Sequence, residues 1–221
     1  PEVVRNVITR NIQSDSSGRI SRTALQETVG AVLEEQKSLS SIYAQFEPDG
    51  YDGQDRYFTG GVEEHSSDEG TLEIYYYRDP EGKVHFSRTE DPATKYLDSL
   101  NEFGIREAEW YLCSRDTRAP CIMEPYDYEI SEGYSELMTS LVVPILDDGA
   151  FAGVVGVDIN LSTLQRTISG VSKELFDGKS RVTLISEQGL IAASSHYEAH
   201  LGRPLPEALP EHGDTFSGLH K

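Results

Sequence analysis

The chain has 221 residues, of which 37% are hydrophobic and 26% charged, the balance of a folded chain rather than a disordered one. Its 19 basic and 38 acidic residues leave a net charge of −19, which repels nucleic acid and anionic lipid and concentrates cations near any cleft. It contains no run of about 18 apolar residues that would span a membrane and no signal peptide.

In chain order, residues 3–12 carry a short helical pattern, broken by Ser14-Asp15-Ser16-Ser17-Gly18. Leu25, Val29, Val32, Leu39, Tyr43 and Phe46 then recur in steps of three and four, with Gln36 in the one polar slot. This spacing predicts a long amphipathic helix, N-capped by Ser21 and ending before Pro48. The acidic loop from Asp49 to Asp55 lacks the ligand spacing and distal Glu of a calcium loop.

From Leu72 the pattern changes to strands. Leu72–Arg78 and Val84–Arg88 flank an Asp79-Pro80-Glu81-Gly82 turn. Residues 92–103 read as helical. Trp110–Cys113 and Cys121–Ile130 read as a second hairpin, and Leu137–Leu146 as a strand that turns through Asp147-Asp148-Gly149 into Phe151–Ile159. Asn160–Leu164 opens another helix, to about Phe176. Arg181–Ser186 and Leu190–Ser194 then repeat the strand–turn–strand pattern. The fold class expected is α+β: a long N-terminal helix followed by two modules of antiparallel sheet flanked by helices. The second module looks incomplete, since a Pro- and Gly-rich stretch follows its single hairpin. The chain therefore reads as an excised piece of a longer protein.

Cys113 and Cys121 flank the loop of the second expected hairpin, which leaves a disulfide and two separate thiols both open. Local catalytic signatures are missing. His196 and His200 are spaced by four, but Tyr197 stands where a zincin has Glu. No nucleophile elbow, phosphate loop or dinucleotide fingerprint occurs. Neither an enzyme nor a cofactor or metal site is expected.

Two segments stand out. One is Trp110-Tyr111 with Glu124-Pro125-Tyr126-Asp127-Tyr128; the other is the apolar strand ending in Asp158. An acid in such a strand is costly to bury unless paired, so Asp158 either caps the following helix or faces a cavity. Alternation would put Glu124, Tyr126 and Tyr128 on one strand face and Asp127 on the other. Acids beside aromatic rings suit an organic cation, through charge-assisted hydrogen bonds and cation–π attraction. Of Tyr75, Tyr76 and Tyr77, strand packing accounts for most, with Tyr76 assigned to the pocket.

The order Trp110-Tyr111, Pro125-Tyr126, Met138–Ile145 and Gly149–Ile159, preceded by Phe46-Glu47-Pro48 and Tyr51-Asp52-Gly53, resembles the double-Cache sensor domain of bacterial methyl-accepting chemotaxis proteins. The resemblance covers roughly residues 20 to 200. It implies a helical region at 1–39, a membrane-distal ligand-binding PAS-like module at 40–165 and a partial membrane-proximal module at 166–221. It also implies a periplasmic sensor, anchored by membrane helices outside this chain and dimeric in the full receptor. Trp110, Tyr111, Tyr126 and Asp158 fall on the family's pocket positions, with Asp158 matching the acid that grips a ligand amino group. Amino-acid-binding members resemble an Arg-x-Trp-Tyr pattern whose Arg clamps the carboxylate. Here Ala108 holds that position and Arg106 is four residues before Trp110. The departure points to amines without a carboxylate, such as polyamines or histamine-like biogenic amines, held by Asp158 with Glu124 or Asp127 inside a cage of Trp110, Tyr111 and Tyr126. The alternative is an amino acid or another small ligand on the same fold, in a chemoreceptor, sensor kinase or cyclase.

Overall fold

The computed structural model describes residues 1–14, 19–101, 104–131 and 133–208. Two helices lead the chain, α1 (Glu2–Ile12) and α2 (Arg22–Glu35). Ser21 caps α2 as expected, its hydroxyl accepting from the Ala24 amide at 3.2 Å, which satisfies one of the orphan donors of the first turn.

The long helix expected to reach Phe46 stops at Glu35. Ser41–Phe46 instead forms β1, and all six of its residues are buried. β1 is an inner strand, pairing antiparallel with β2 (Glu73–Arg78) on one side and β7 (Ala150–Asn160) on the other. A strand covered on both faces loses its apolar–polar alternation, so Leu39, Tyr43 and Phe46 could extend a helical period that the backbone does not follow.

The main sheet runs in the order β3 (Val84–Phe86), β2, β1, β7, β6 (Tyr134–Asp147), β4 (Cys121–Ile122), with β5 (Tyr126–Ser131) also pairing with β6. Asp148 and Gly149, both at positive φ, turn the chain from β6 into β7 where Asp147-Asp148-Gly149 was expected to.

Two further expectations are corrected. Within residues 92–103, only Pro92–Tyr96 forms a helical element, a 3-10 turn capped by Asp91; residues 102 and 103 lie outside the described residues. Trp110–Cys113 is not a strand either. It belongs to α3 (Glu109–Thr117), which ends on Arg118 at φ 56°. Cys121 opens β4, whose partner is β6 rather than the preceding segment. Cys113 and Cys121 form a disulfide that ties α3 to β4.

The contacts divide the chain into two compact units. The first holds Pro1–Met123 and Ser140–Asp158. The helices of residues 1–39 share its core: Val4, Ile8 and Ile12 of α1 and Leu25, Val29 and Leu33 of α2 pack with Ile42, Ile74, Val155 and Val157 of the sheet. Its acidic loop is organised by a cation of the protein, because Arg22 is buried against Asp52 and Asp55 and donates to the Gly70 carbonyl at 2.7 Å.

The second unit holds Glu124–Thr139 and the chain from Ile159, so β5, expected inside the 40–165 module, is grouped with it. It contains α4 (Leu161–Glu174) and the hairpin of β8 (Thr183–Ile185) and β9 (Ile191–Ser194). Most of the Pro- and Gly-rich stretch lies outside the described residues.

Candidate ligand-binding site

The register of β1 assigns each side chain to a face, because residues directly opposite in neighbouring strands point the same way. Ser41 stands opposite both Asp158 and Tyr77; Tyr43 stands opposite both Gly156 and Tyr75. These six share one face of the sheet. Ile42, Ala44, Ile74, Val155 and Val157 alternate onto the other, against α1 and α2. Tyr76, opposite Ile42, goes with them: it packs edge-on to Phe86 at 5.0 Å, and its ring lies where a side chain on Gly30 of α2 would be. Tyr76, assigned to the pocket from the sequence, thus faces α2, and Tyr75 and Tyr77 share the face of Asp158.

Asp158 is 4% exposed. Ser41 Oγ donates to one carboxylate oxygen and Ser140 Oγ to the other, the latter at 2.6 Å. Capping of α4 falls to Asn160, whose side-chain oxygen accepts from the Ser162 amide at 2.7 Å. Of the two roles left open for Asp158, helix capping is thus excluded.

Aromatic rings continue from this acid along the face. Trp110 meets Tyr43 edge-to-face at 5.3 Å, Tyr43 lies 6.5 Å from Tyr75, and Tyr75 stacks on Tyr77 at 6.2 Å. Gly156 is required here: a Cβ on it would come within 2.0 Å of the Tyr43 ring. Tyr111 lies deeper, at 0% exposure, between Trp110, Tyr96 and Phe151. Its hydroxyl donates to Glu47 Oε1 at 2.7 Å, and burial beside that carboxylate pushes its pKa well up.

Below the rings lies a buried ion pair. Lys95 Nζ bonds Glu73 Oε1 and the Phe46 carbonyl, and Thr71 Oγ1 also donates to Glu73. Burial raises the Glu73 carboxyl to about 7, against the opposing pull of Lys95.

Arg106 does not serve as a free carboxylate clamp. Its guanidinium bonds Glu109 at 2.5 Å and Asp116 at 2.6 Å, and these bonds raise its pKa.

Trp110, Tyr111 and Asp158 all lie in the first unit, with Trp110 against Tyr43 on the sheet face that carries Asp158. Glu124, Tyr126, Asp127 and Tyr128 belong to the second. There Glu124 accepts from the Gln188 amide at 3.0 Å, Tyr126 and Tyr128 meet edge-to-face at 6.4 Å, and Asp127 is exposed. Sequence reasoning missed Ser41, Tyr43 and Ser140. The available signal was the alternation Ser41, Tyr43, Gln45, which the longer helical period masked.

Chemically, this face offers a buried carboxylate held by two hydroxyls, with aromatic rings beside it and an ordinary hydrophobic core behind it. Such a surface suits recognition of a small molecule, and comparison with known proteins agrees. Residues 25–166 match the family model described as the methyl-accepting chemotaxis protein-like, first PDC sensor domain. The chain belongs to this family of chemoreceptor sensor domains. It is 32% identical over 198 residues to the methyl-accepting chemotaxis protein TlpQ of Pseudomonas aeruginosa, spanning 90% of this chain and 28% of that relative's length.

Among solved structures, the extracellular domain of the candidate histidine kinase mmHK1S-Z2 superposes with a TM-score of 0.67 at 20% identity, covering 97% of this chain and 75% of that one. The ligand-binding domain of the amino acid chemoreceptor PctC of Pseudomonas aeruginosa PAO1, in complex with GABA, superposes with a TM-score of 0.52 at 16% identity, covering 95% and 71%. These likenesses concern the fold. Among the described residues no helix is long and apolar enough to cross a membrane.

Proposed function

We propose that this chain is the ligand-binding part of an extracytoplasmic chemoreceptor that senses small cationic amines, such as polyamines or histamine-like biogenic amines. The observation that carries the reading is Asp158, a carboxylate buried on the same sheet face as Trp110, Tyr43, Tyr75 and Tyr77. An arriving ammonium group joins or displaces the serine hydroxyls at Asp158 and forms a charge-assisted hydrogen bond in a site of low dielectric. The rings add cation–π attraction and exclude water. The net charge of −19 favours approach of a cation. The engagement of Arg106 by Glu109 and Asp116 leaves a ligand carboxylate without the expected clamp.

In this reading residues 40–165 form the membrane-distal binding module and residues 166–221 part of a membrane-proximal one. The parent protein is anchored in the inner membrane by helices outside this chain and works as a dimer. Binding biases a conformational equilibrium that the helices carry toward the membrane. Glu124, Tyr126, Asp127 and Tyr128 are candidate contacts within the second unit.

One observation favours a second reading, amino acid sensing: the structural neighbour PctC is complexed with GABA, which carries an ammonium group as well as a carboxylate. A thermal-shift panel of putrescine, spermidine and histamine against GABA and the common amino acids separates the two. At 100 times its dissociation constant a true ligand stabilises the fold by about 2.7 kcal/mol. Stabilisation by amines is the expected result; stabilisation by amino acids alone moves the assignment to the second reading.

A further inference from the structure

Glu47 follows β1 directly, and two tyrosines occupy its carboxylate. Tyr111 donates to Oε1 at 2.7 Å and Tyr96 to Oε2 at 3.1 Å. The two rings also meet edge-to-face at 5.7 Å. One residue before Glu47, the Phe46 carbonyl takes a hydrogen bond from Lys95, the neighbour of Tyr96 in the 3-10 turn, and Lys95 is paired with Glu73. The end of β1, the turn Pro92–Tyr96 and the first turn of α3 are thereby joined at one acid.

The consequence lies one residue from Tyr111. Trp110 packs at 5.6 Å against Tyr111 and at 5.3 Å against Tyr43. α3 has nine residues, and a helix below about 12 residues does not hold itself in water. Its rotation about its own axis must come from tertiary anchors. Beside the core packing of Tyr111 and Leu112, these include the Cys113–Cys121 disulfide at its middle and Glu47 on its first turn.

We propose that Glu47 is a positioning residue for the ligand face: by accepting both tyrosine hydroxyls it fixes the rotation of α3 and so sets the Trp110 ring against Tyr43. The part of this that concerns binding rests on the reading that Trp110 and Asp158 hold the ligand. Glu47→Gln keeps one acceptor oxygen and puts an NH2 donor in place of the other, so one tyrosine hydroxyl must switch from donating to accepting and both lose a charged acceptor.

Trp110 is the only tryptophan in the chain, so its fluorescence reports this geometry without any ligand. The test compares emission maximum, acrylamide quenching, thermal midpoint and calorimetric affinity for putrescine, histamine and GABA across the wild type, Glu47→Gln, Glu47→Ala, Tyr111→Phe and Leu33→Ala. Leu33 is fully buried on the opposite face of the sheet, so its variant controls for lost stability alone.

The expected result is a red-shifted, more quenchable Trp110 and an affinity loss of about tenfold in Glu47→Ala. Glu47→Gln should fall between it and the wild type. Tyr111→Phe should shift Trp110 in the same direction, and combining it with Glu47→Ala should add little, as for two partners of one bond. Leu33→Ala should melt earlier with emission and affinity unchanged. The proposal is overturned if Glu47→Ala behaves like Leu33→Ala, or if its emission shifts while its affinity holds. A wild-type chain that binds none of the three probes sinks the ligand reading and the binding half of the proposal with it; the ligand-free emission then decides the positioning half alone.

Discussion

Asp158 and Asn160 stand two residues apart at the end of β7 and do unrelated jobs. Asn160 caps α4 and Asp158 takes the hydroxyls of Ser41 and Ser140. Asn160→Ala is therefore expected to cost about 1 kcal/mol of stability and to leave ligand affinity unchanged, as urea melts and a titration of the same sample would show. That Asp158 was an unusual acid could be read from the sequence, because it ends a run of valines. Its partners could not be read, since Ser41 and Ser140 lie 117 and 18 residues away in sequence. The tyrosines show the same limit. Three consecutive aromatics on one strand must alternate, but which face is the open one depends on the register against β1. That register places Tyr75 and Tyr77 with Asp158 and Tyr76 with α2.

At the scale of elements, the hairpins β2–β3, β6–β7 and β8–β9 were legible because each carries its own turn chemistry. β1 and α3 were not. β1 is covered on both faces and has no polar side to reveal its period. α3 begins with Glu-Trp-Tyr, whose two aromatic residues favour strands, and its helical state depends on what it packs against. The disulfide from its middle residue, Cys113, closes a short loop, a sequence separation of 8, so reduction is expected to cost about 2–3 kcal/mol by the chain-entropy argument. Urea melts with and without dithiothreitol, followed by Trp110 fluorescence, measure this directly. Equal midpoints would mean that α3 is held by Glu47 and its packing alone. Gly156→Ala tests the sheet side of the same cluster. Its Cβ would enter the Tyr43 ring, so Tyr43 must move, and the expected result is loss of ligand binding with a shifted Trp110 emission. Unchanged emission would contradict the packing of Trp110 on Tyr43.

On the scale of the whole molecule, charge governs how the chain responds to solution conditions. A net charge of −19 makes self-repulsion part of the folding balance, so the thermal midpoint is expected to rise as salt is added from low ionic strength. A midpoint that falls would point to ion pairs such as Arg22 with Asp52 and Asp55 as the larger effect. Burial of Glu73 adds a pH dependence. Its carboxyl is raised from 4.5 to about 7 in the fold, so the folded state holds a proton that the unfolded chain releases. The stability this group contributes is fully present below about pH 4.5 and is lost as pH rises to about 7. The difference in stability between wild type and Glu73→Gln, measured across that window, should therefore move against the wild type as pH increases. A flat difference would mean that Lys95 keeps the carboxyl ionised throughout.

The overall charge and the family were readable from composition and motif order. The grouping of Glu124–Thr139 with the chain from Ile159 was not, because it rests on which segments touch.

The most direct test of the account is a calorimetric titration of putrescine and histamine into the wild-type chain and into Asp158→Asn. The wild type is expected to bind at least one of these amines. Asp158→Asn, folded by circular dichroism, is expected to bind that amine at least about tenfold more weakly, the loss of one charge-assisted hydrogen bond in a buried site. Equal affinity in the two chains would contradict it and remove Asp158 from the ligand.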